Sequence, residues 1–209
     1  MSMRYDKEHD STTLARLARK KRIAVAAAAL DRMRVGYSIW APQAGGRPPI
    51  EDVLSGVWKF VLDAHPLPPM DVTERLYPSP IDAVTLESPY AESFIEALQL
   101  FTDFASSDDD KRLVEIRQAA YNMAFDAAGD ATLHYNAPDY DGRMTLEREQ
   151  RVMFHAWVSR ELESQSLDVQ DAVAISPITD LVNRLRKRAV ATPVISSDDF
   201  EAIRVFQAV

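Results

Sequence analysis

Nine of the twelve prolines fall between positions 42 and 89, and the other three stand alone at 138, 177 and 193. Proline lacks a backbone donor and clashes with the preceding turn, so helix interiors and central strands exclude it. The chain is therefore cut into a few long Pro-free blocks joined by one Pro-rich stretch. Within the blocks apolar residues recur every three or four positions and do not alternate. Ile23, Ala26, Ala27, Leu30, Met33 and Tyr37 form one such stripe, and its small alanines allow another helix to approach closely. Thr192 to Ile195 is the sole β-like run. The pattern predicts an all-α fold, a single-domain bundle or orthogonal array of about six to eight helices over residues 1–209, with 1–11 a flexible N-terminus.

Local signals set the expected boundaries. The first helix starts near Ser11 and runs through Tyr37. A second begins at Pro49, buries Ile50, Val53, Leu54, Val57, Trp58 and Val61, and stops at His65-Pro66. Residues 66–89 are expected to be irregular, with a single turn near Asp71 to Leu76. Ser88-Pro89 and Ser176-Pro177 each read as a cap followed by Pro at the first helical position. Asp108-Asp109-Asp110 separates two helices and complements the dipole of the later one, for which Gly129 is the natural C-terminal stop. Thr145 caps a helix that buries Leu146, Met153, Phe154, Trp157, Val158 and Leu162, with a short segment at Asp168 to Ile175 after it. A last helix runs from Ser197 through Phe206.

Composition removes several function classes. There is no Cys, which excludes disulfides, thiolate metal sites and a cysteine nucleophile. No apolar run approaches the ~20 residues of a membrane span. Ile23 to Leu30 is the longest candidate; it lies too far from Met1 for a signal peptide and meets Asp31 and Arg32 directly, so a cytoplasmic protein is expected. The sequence contains no phosphate-binding glycine loop, no Gly-x-Ser-x-Gly elbow and no His-Glu-x-x-His. His155, beside Phe154 and Trp157, reads as a partly buried helix residue with one hydrogen bond. His134, in the 130–143 loop with Asp130, Asp139 and Asp141, is the one histidine with company suited to a cation or a general base, yet no ligand spacing fits. No catalytic residue, cofactor or metal is assigned.

Charge is unevenly spread. Residues 1–60 hold 11 Lys+Arg against 6 Asp+Glu, whereas residues 61–141 hold 4 against 16. An acidic middle repels nucleic acid and attracts a basic protein. The candidate protein-binding residues are Asp108, Asp109, Asp110, Tyr135, Asp139, Tyr140 and Asp141, tyrosine being a common interface anchor. Their alternative reading is a solvated helix face.

Asp31-Arg32-Met33-Arg34-Val35-Gly36-Tyr37-Ser38-Ile39-Trp40, followed by Leu54 and Trp58, resembles the acidic-Arg-Met-x-x-x-Tyr-x-x-aromatic and Leu-x-x-x-Trp signatures of the YjaG-like bacterial family. A weaker match lies near Glu149 and Met153-Phe154, where Met153 replaces an expected glutamine. The resemblance implies an all-helical domain of unknown function and supplies no catalytic residue. Read physically, Met33 and Tyr37 lie on the core stripe, Trp58 is core or seam, and Arg32 pairs with a carboxylate or caps a helix end of another element. Such families are similar to the immunity proteins of bacterial toxin systems, which implies binding to a basic toxin domain, without nucleic acid or membrane. A small enzyme with a site near the 130–143 loop and a housekeeping scaffold are the alternatives.

Overall fold

A computed structural model describes residues 4–42, 50–65, 67, 76, 85–133 and 142–208. The regular elements among the described residues are helices: α1 (Lys7–Ala15), α2 (Arg19–Arg32), α3 (Arg34–Trp40), α4 (Ile50–Asp63), α5 (Ser88–Ser107), α6 (Lys111–Thr132), α7 (Leu146–Met153), α8 (Ala156–Ala174), α9 (Ile178–Ala191) and α10 (Ser197–Gln207). The all-α expectation holds. None of the helices is long and apolar enough to cross a membrane.

The core is organised around α2. Every residue from Ile23 to Arg32 is buried, so this helix is enclosed on all sides by α4, α6, α8 and α9. A helix that is apolar all round belongs in a core, and its alanines let four neighbours close in at once. Its first turn carries Arg19, Lys20, Lys21 and Arg22, the sign a helix N-terminus disfavours. The fold turns each of these cations onto another helix end. Arg19 Nε donates to Asp108 at 2.9 Å and Arg22 pairs with Asp110 at 2.9 Å, both at the α5–α6 corner. Lys20 Nζ donates to the Leu62 carbonyl near the end of α4 (2.6 Å), and Lys21 Nζ to the Ala172 carbonyl near the end of α8 (2.7 Å). The basic cluster thus offsets the negative ends of two dipoles and the acids of a third junction.

Elsewhere α3 lies so close to α5 that a Cβ on Gly36 would sit 2.7 Å from Tyr90 Cβ. Asp108 ends α5 in the left-handed region (φ 56°), its N–H bonded to Phe104 O at 2.8 Å. Thr145 caps α7 as expected, and Ser196 with Asp199 forms a reciprocal capping box on α10.

Several boundaries differ from expectation. Residues 7–15, placed largely in a loose N-terminus, form α1, whose Asp10 is buried against Arg117. The first long helix breaks at Met33, where the N–H bonds back to Leu30 O, and α3 follows from Arg34. Ser88 is not a cap: its hydroxyl accepts from the Thr85 N–H outside the helix, and Glu87 stands at the cap position. Gly129 does not end α6, which continues to Thr132. The expected single helix from Leu146 to Leu162 breaks at Phe154-His155, and Leu146 and Phe154 are exposed. Asp168 to Ala174 is the last part of α8, and α9 is preceded by Pro177 without a side-chain cap. Thr192 to Ile195 forms a loop, in which the Val194 N–H donates to the Arg32 carbonyl at 3.0 Å.

Candidate functional site

The Asp31-Arg32 pair ends α2 in the interior and ties it to three helices. Arg32 is wholly buried. Its Nε and Nη2 donate to the two oxygens of Glu161 at 2.8 and 2.9 Å, and its Nη1 donates to Asp168 Oδ2 at 2.5 Å. The other oxygen of Asp168 accepts from Arg188 Nη1 at 2.6 Å, and Arg188 reaches Asp171 with its second arm. Burial alone would lower the Arg32 pKa; Asp168 and Glu161 outweigh it and hold the guanidinium firmly charged. Asp31 points the other way, accepting from Trp58 Nε1 at 2.9 Å, with Arg34 at 3.3 Å from its second oxygen. Burial keeps its carboxyl above the usual range, against the pull of the Trp58 hydrogen bond and Arg34. Arg32 therefore locks α2 to α8 and, through Asp168, to α9, while Asp31 locks α2 to α4.

A second polar cluster adjoins the first. Arg117 of α6 is buried and holds Asp10 of α1 in a two-pronged pair, Nε to Oδ2 and Nη2 to Oδ1, both 2.7 Å. Tyr5 donates to Asp10 Oδ2 at 2.5 Å, and burial together with the Asp10 charge raises its phenol pKa so that it stays protonated. Gln165, a turn from Glu161, joins the clusters by donating to Glu161 Oε1 at 2.8 Å and to the Arg117 carbonyl at 2.9 Å. Above this junction lies a cleft of about 530 Å³ between α1 and α8, with Tyr5, Asp10, Arg117, Leu162, Gln165 and Val169 in its walls.

Glu161 and Asp168 carry no exposed surface of consequence, so the inner network is architecture and not a site for solution chemistry. Sequence reasoning noted Arg32 but missed its partners. Their signal was nevertheless present: Val158, Glu161, Gln165, Asp168 and Ala172 follow the spacing of a core seam, with three polar residues in apolar places.

Of the expected binding residues, the structure places Asp108, Asp109 and Asp110 at the exposed α5–α6 corner. Asp108 and Asp110 pair with Arg19 and Arg22, while Asp109 accepts from the Lys111 N–H at 3.1 Å. Tyr135, Asp139, Tyr140 and Asp141, with His134, lie outside the described residues. The corner continues onto an acidic face that the sequence reading did not single out. α5 has no Lys or Arg in its 20 residues, and Glu92, Glu96 and Asp103 share one side of it at i, i+4 and i+11. Glu92 and Glu96 are exposed and take part in no ion pair among the described residues. His155 is not within a helix but caps α8, its Nδ1 accepting from the Trp157 N–H at 3.4 Å. No group of three or more His, Asp or Glu that could hold a metal ion occurs among the described residues.

No family model matches the chain, and no curated protein matches it. A solved structure does: the crystal structure of a DUF416 family protein from Shewanella baltica OS155 superposes with a TM-score of 0.71 at 18% identity, over 87% of this chain and 93% of that one. What the two share is the fold. The superposition spans most of this chain and nearly all of that one, so the fold is one that another protein also adopts.

Proposed function

We propose that this protein acts by binding another protein through the acidic face of α5 and the α5–α6 corner, and that its partner is a basic domain of the kind a toxin-immunity protein neutralises. The observation that carries the reading is the charge of α5, whose outer side presents Glu92, Glu96 and Asp103 with no cation on the helix. Such a face raises the encounter rate with a basic surface and repels acidic ones. Tyr135, Asp139, Tyr140 and Asp141 extend the proposed interface on the strength of the sequence. The buried carboxylates fit this reading better than a hydrolytic one, because a general acid or base must reach its substrate. The YjaG-like assignment belongs to the same proposal. In it Asp31, Arg32 and Trp58 are fold determinants, and the partner is read by the surface.

Glu92 and Glu96 give a cleaner test than the aspartates, since Asp108 and Asp110 also tie the corner to α2. Immobilised protein is incubated at low salt with lysate of the native host, alongside a Glu92→Gln/Glu96→Gln variant of equal thermal stability. A basic protein retained by the wild type and lost from the variant is expected. Absence of any retained protein, or equal retention by both, refutes the proposal.

A further inference from the structure

We propose that α1 is a strap that swings away from the bundle as one unit while the other helices stay folded, with the Asp10–Arg117 pair as its catch. This inference concerns the motion of one element and does not depend on the protein-binding reading.

α1 has little apolar surface to hold it down. Of its nine residues only Asp10 and Leu14 are buried, and α6 is the helix it mainly packs against. On its other side the cleft of about 530 Å³ keeps it apart from α8. A segment with few buried apolar contacts and an open flank belongs to the low end of local stability. Arg16 to Ala18 join it to α2, and Leu17 is buried there, which gives the motion a fixed pivot.

What closes the strap is polar and converges on one carboxylate. Both oxygens of Asp10 are held by Arg117 at 2.7 Å, and the Tyr5 hydroxyl donates to Oδ2 at 2.5 Å. The solvent-facing ion pairs of Lys7 with Glu115 and Arg4 with Glu149 add little. Opening does not strand the Arg117 charge in a dry interior. Arg117 lines the cleft, so once α1 leaves, the Nε and Nη2 that held Asp10 face water. The Arg32 network has no such route, because Glu161 and Asp168 are enclosed on α8 and separating them from Arg32 means parting helices of the core. Arg32 therefore locks the bundle, whereas Arg117 holds a part that can leave it. With α1 open the cleft loses one wall, and Arg117 stands with Leu162 and Val169 on open surface; α1 gates this part of α6 and α8.

Native-state hydrogen exchange of the full-length protein, read amide by amide by NMR at urea concentrations below the unfolding transition, tests the strap. The amides of Asp10 to Ala15 are expected to exchange through one shared opening. That opening should cost less than the one that exposes Ala26 to Leu30 in α2 and depend far less on urea, since it uncovers less surface. Asp10→Asn keeps the shape of the side chain and removes its charge, and should speed exchange in α1 at least about tenfold. Tyr5→Phe removes only the hydroxyl; it should act in the same direction, and it serves if Asp10→Asn folds poorly. The proposal is overturned if the α1 amides share the opening free energy and urea dependence of α2, if their protection grades off from Lys7 inward as in simple fraying, or if both variants leave α1 exchange unchanged.

Discussion

Replacing Arg32 by Met removes three charge-assisted hydrogen bonds from a site with no exposed surface. The two carboxylates do not suffer equally. Asp168 keeps Arg188 at 2.6 Å, whereas Glu161 retains only the Gln165 amide at 2.8 Å as a partner. The cost of Arg32→Met is therefore essentially that of leaving Glu161 buried and unneutralised, about 3–5 kcal/mol. For a domain whose total stability is roughly 5–15 kcal/mol, this is a severe loss. Removing Glu161 as well, in Arg32→Met/Glu161→Met, takes away the orphaned charge and fills its space with apolar atoms. The double variant should thus be more stable than Arg32→Met alone, although it carries more changes. Urea unfolding followed by far-UV circular dichroism measures both, and unchanged m-values would show that the midpoints report stability. A loss below about 1 kcal/mol for Arg32→Met, or a double variant weaker than the single, would refute the reasoning that this network is a mutually neutralised lock.

Two further outcomes are expected. Gly36→Ala should lower the melting temperature, because its Cβ meets Tyr90 Cβ at 2.7 Å and overpacking costs about 1–3 kcal/mol; the gain in helix propensity, about 1 kcal/mol, offsets at most the lower end of that cost, so a higher melting temperature would contradict the close approach of α3 and α5. His155 has its pKa lowered by burial, with Arg160 adding to the effect and Asp199 opposing it, so the folded state holds this proton more weakly than the unfolded chain. Its contribution to stability is therefore full above the unfolded value near 6.5 and is lost as pH falls through the folded value. His155→Asn keeps a cap that does not titrate and should flatten the dependence of stability on pH below about 6.5, whereas an identical slope in both proteins would show that His155 is not responsible.

The central helix shows both what could be read from the sequence and what could not. The stripe from Ile23 to Tyr37 is buried throughout, because spacing alone dictates which side of a helix turns inward. Ala24, Val25, Ala28 and Ala29 are equally buried, and that follows from the number of neighbours around α2, which periodicity does not encode. The break at Phe154-His155 was hidden for a chemical reason: the cap is an imidazole nitrogen, and neither Pro nor Gly marks the site. The extra helices beyond the expected array arise from this break, from Met33 and from α1. α1 itself has a weak apolar pattern and is held by Asp10 to Arg117, an ion pair between residues 107 apart that no local rule connects. The acidic corner was legible as charge. That two of its three aspartates pair with the basic turn of α2 follows from the packing of α2 against the rest of the bundle, which local sequence leaves undetermined.

The rate of association tests most directly the proposal that recognition rests on the charge of α5. With the partner from the host in hand, the association rate is measured by stopped flow as ionic strength rises from about 0.01 M to 0.15 M, which shortens the Debye length from about 30 Å to about 8 Å. The wild-type rate should fall steeply over this range and the dissociation rate should change little. In Glu92→Gln/Glu96→Gln the low-salt rate should be slower and the salt dependence shallower. Equal association rates for the two proteins at every salt concentration would contradict the account and return the acidic face of α5 to a solubilising role.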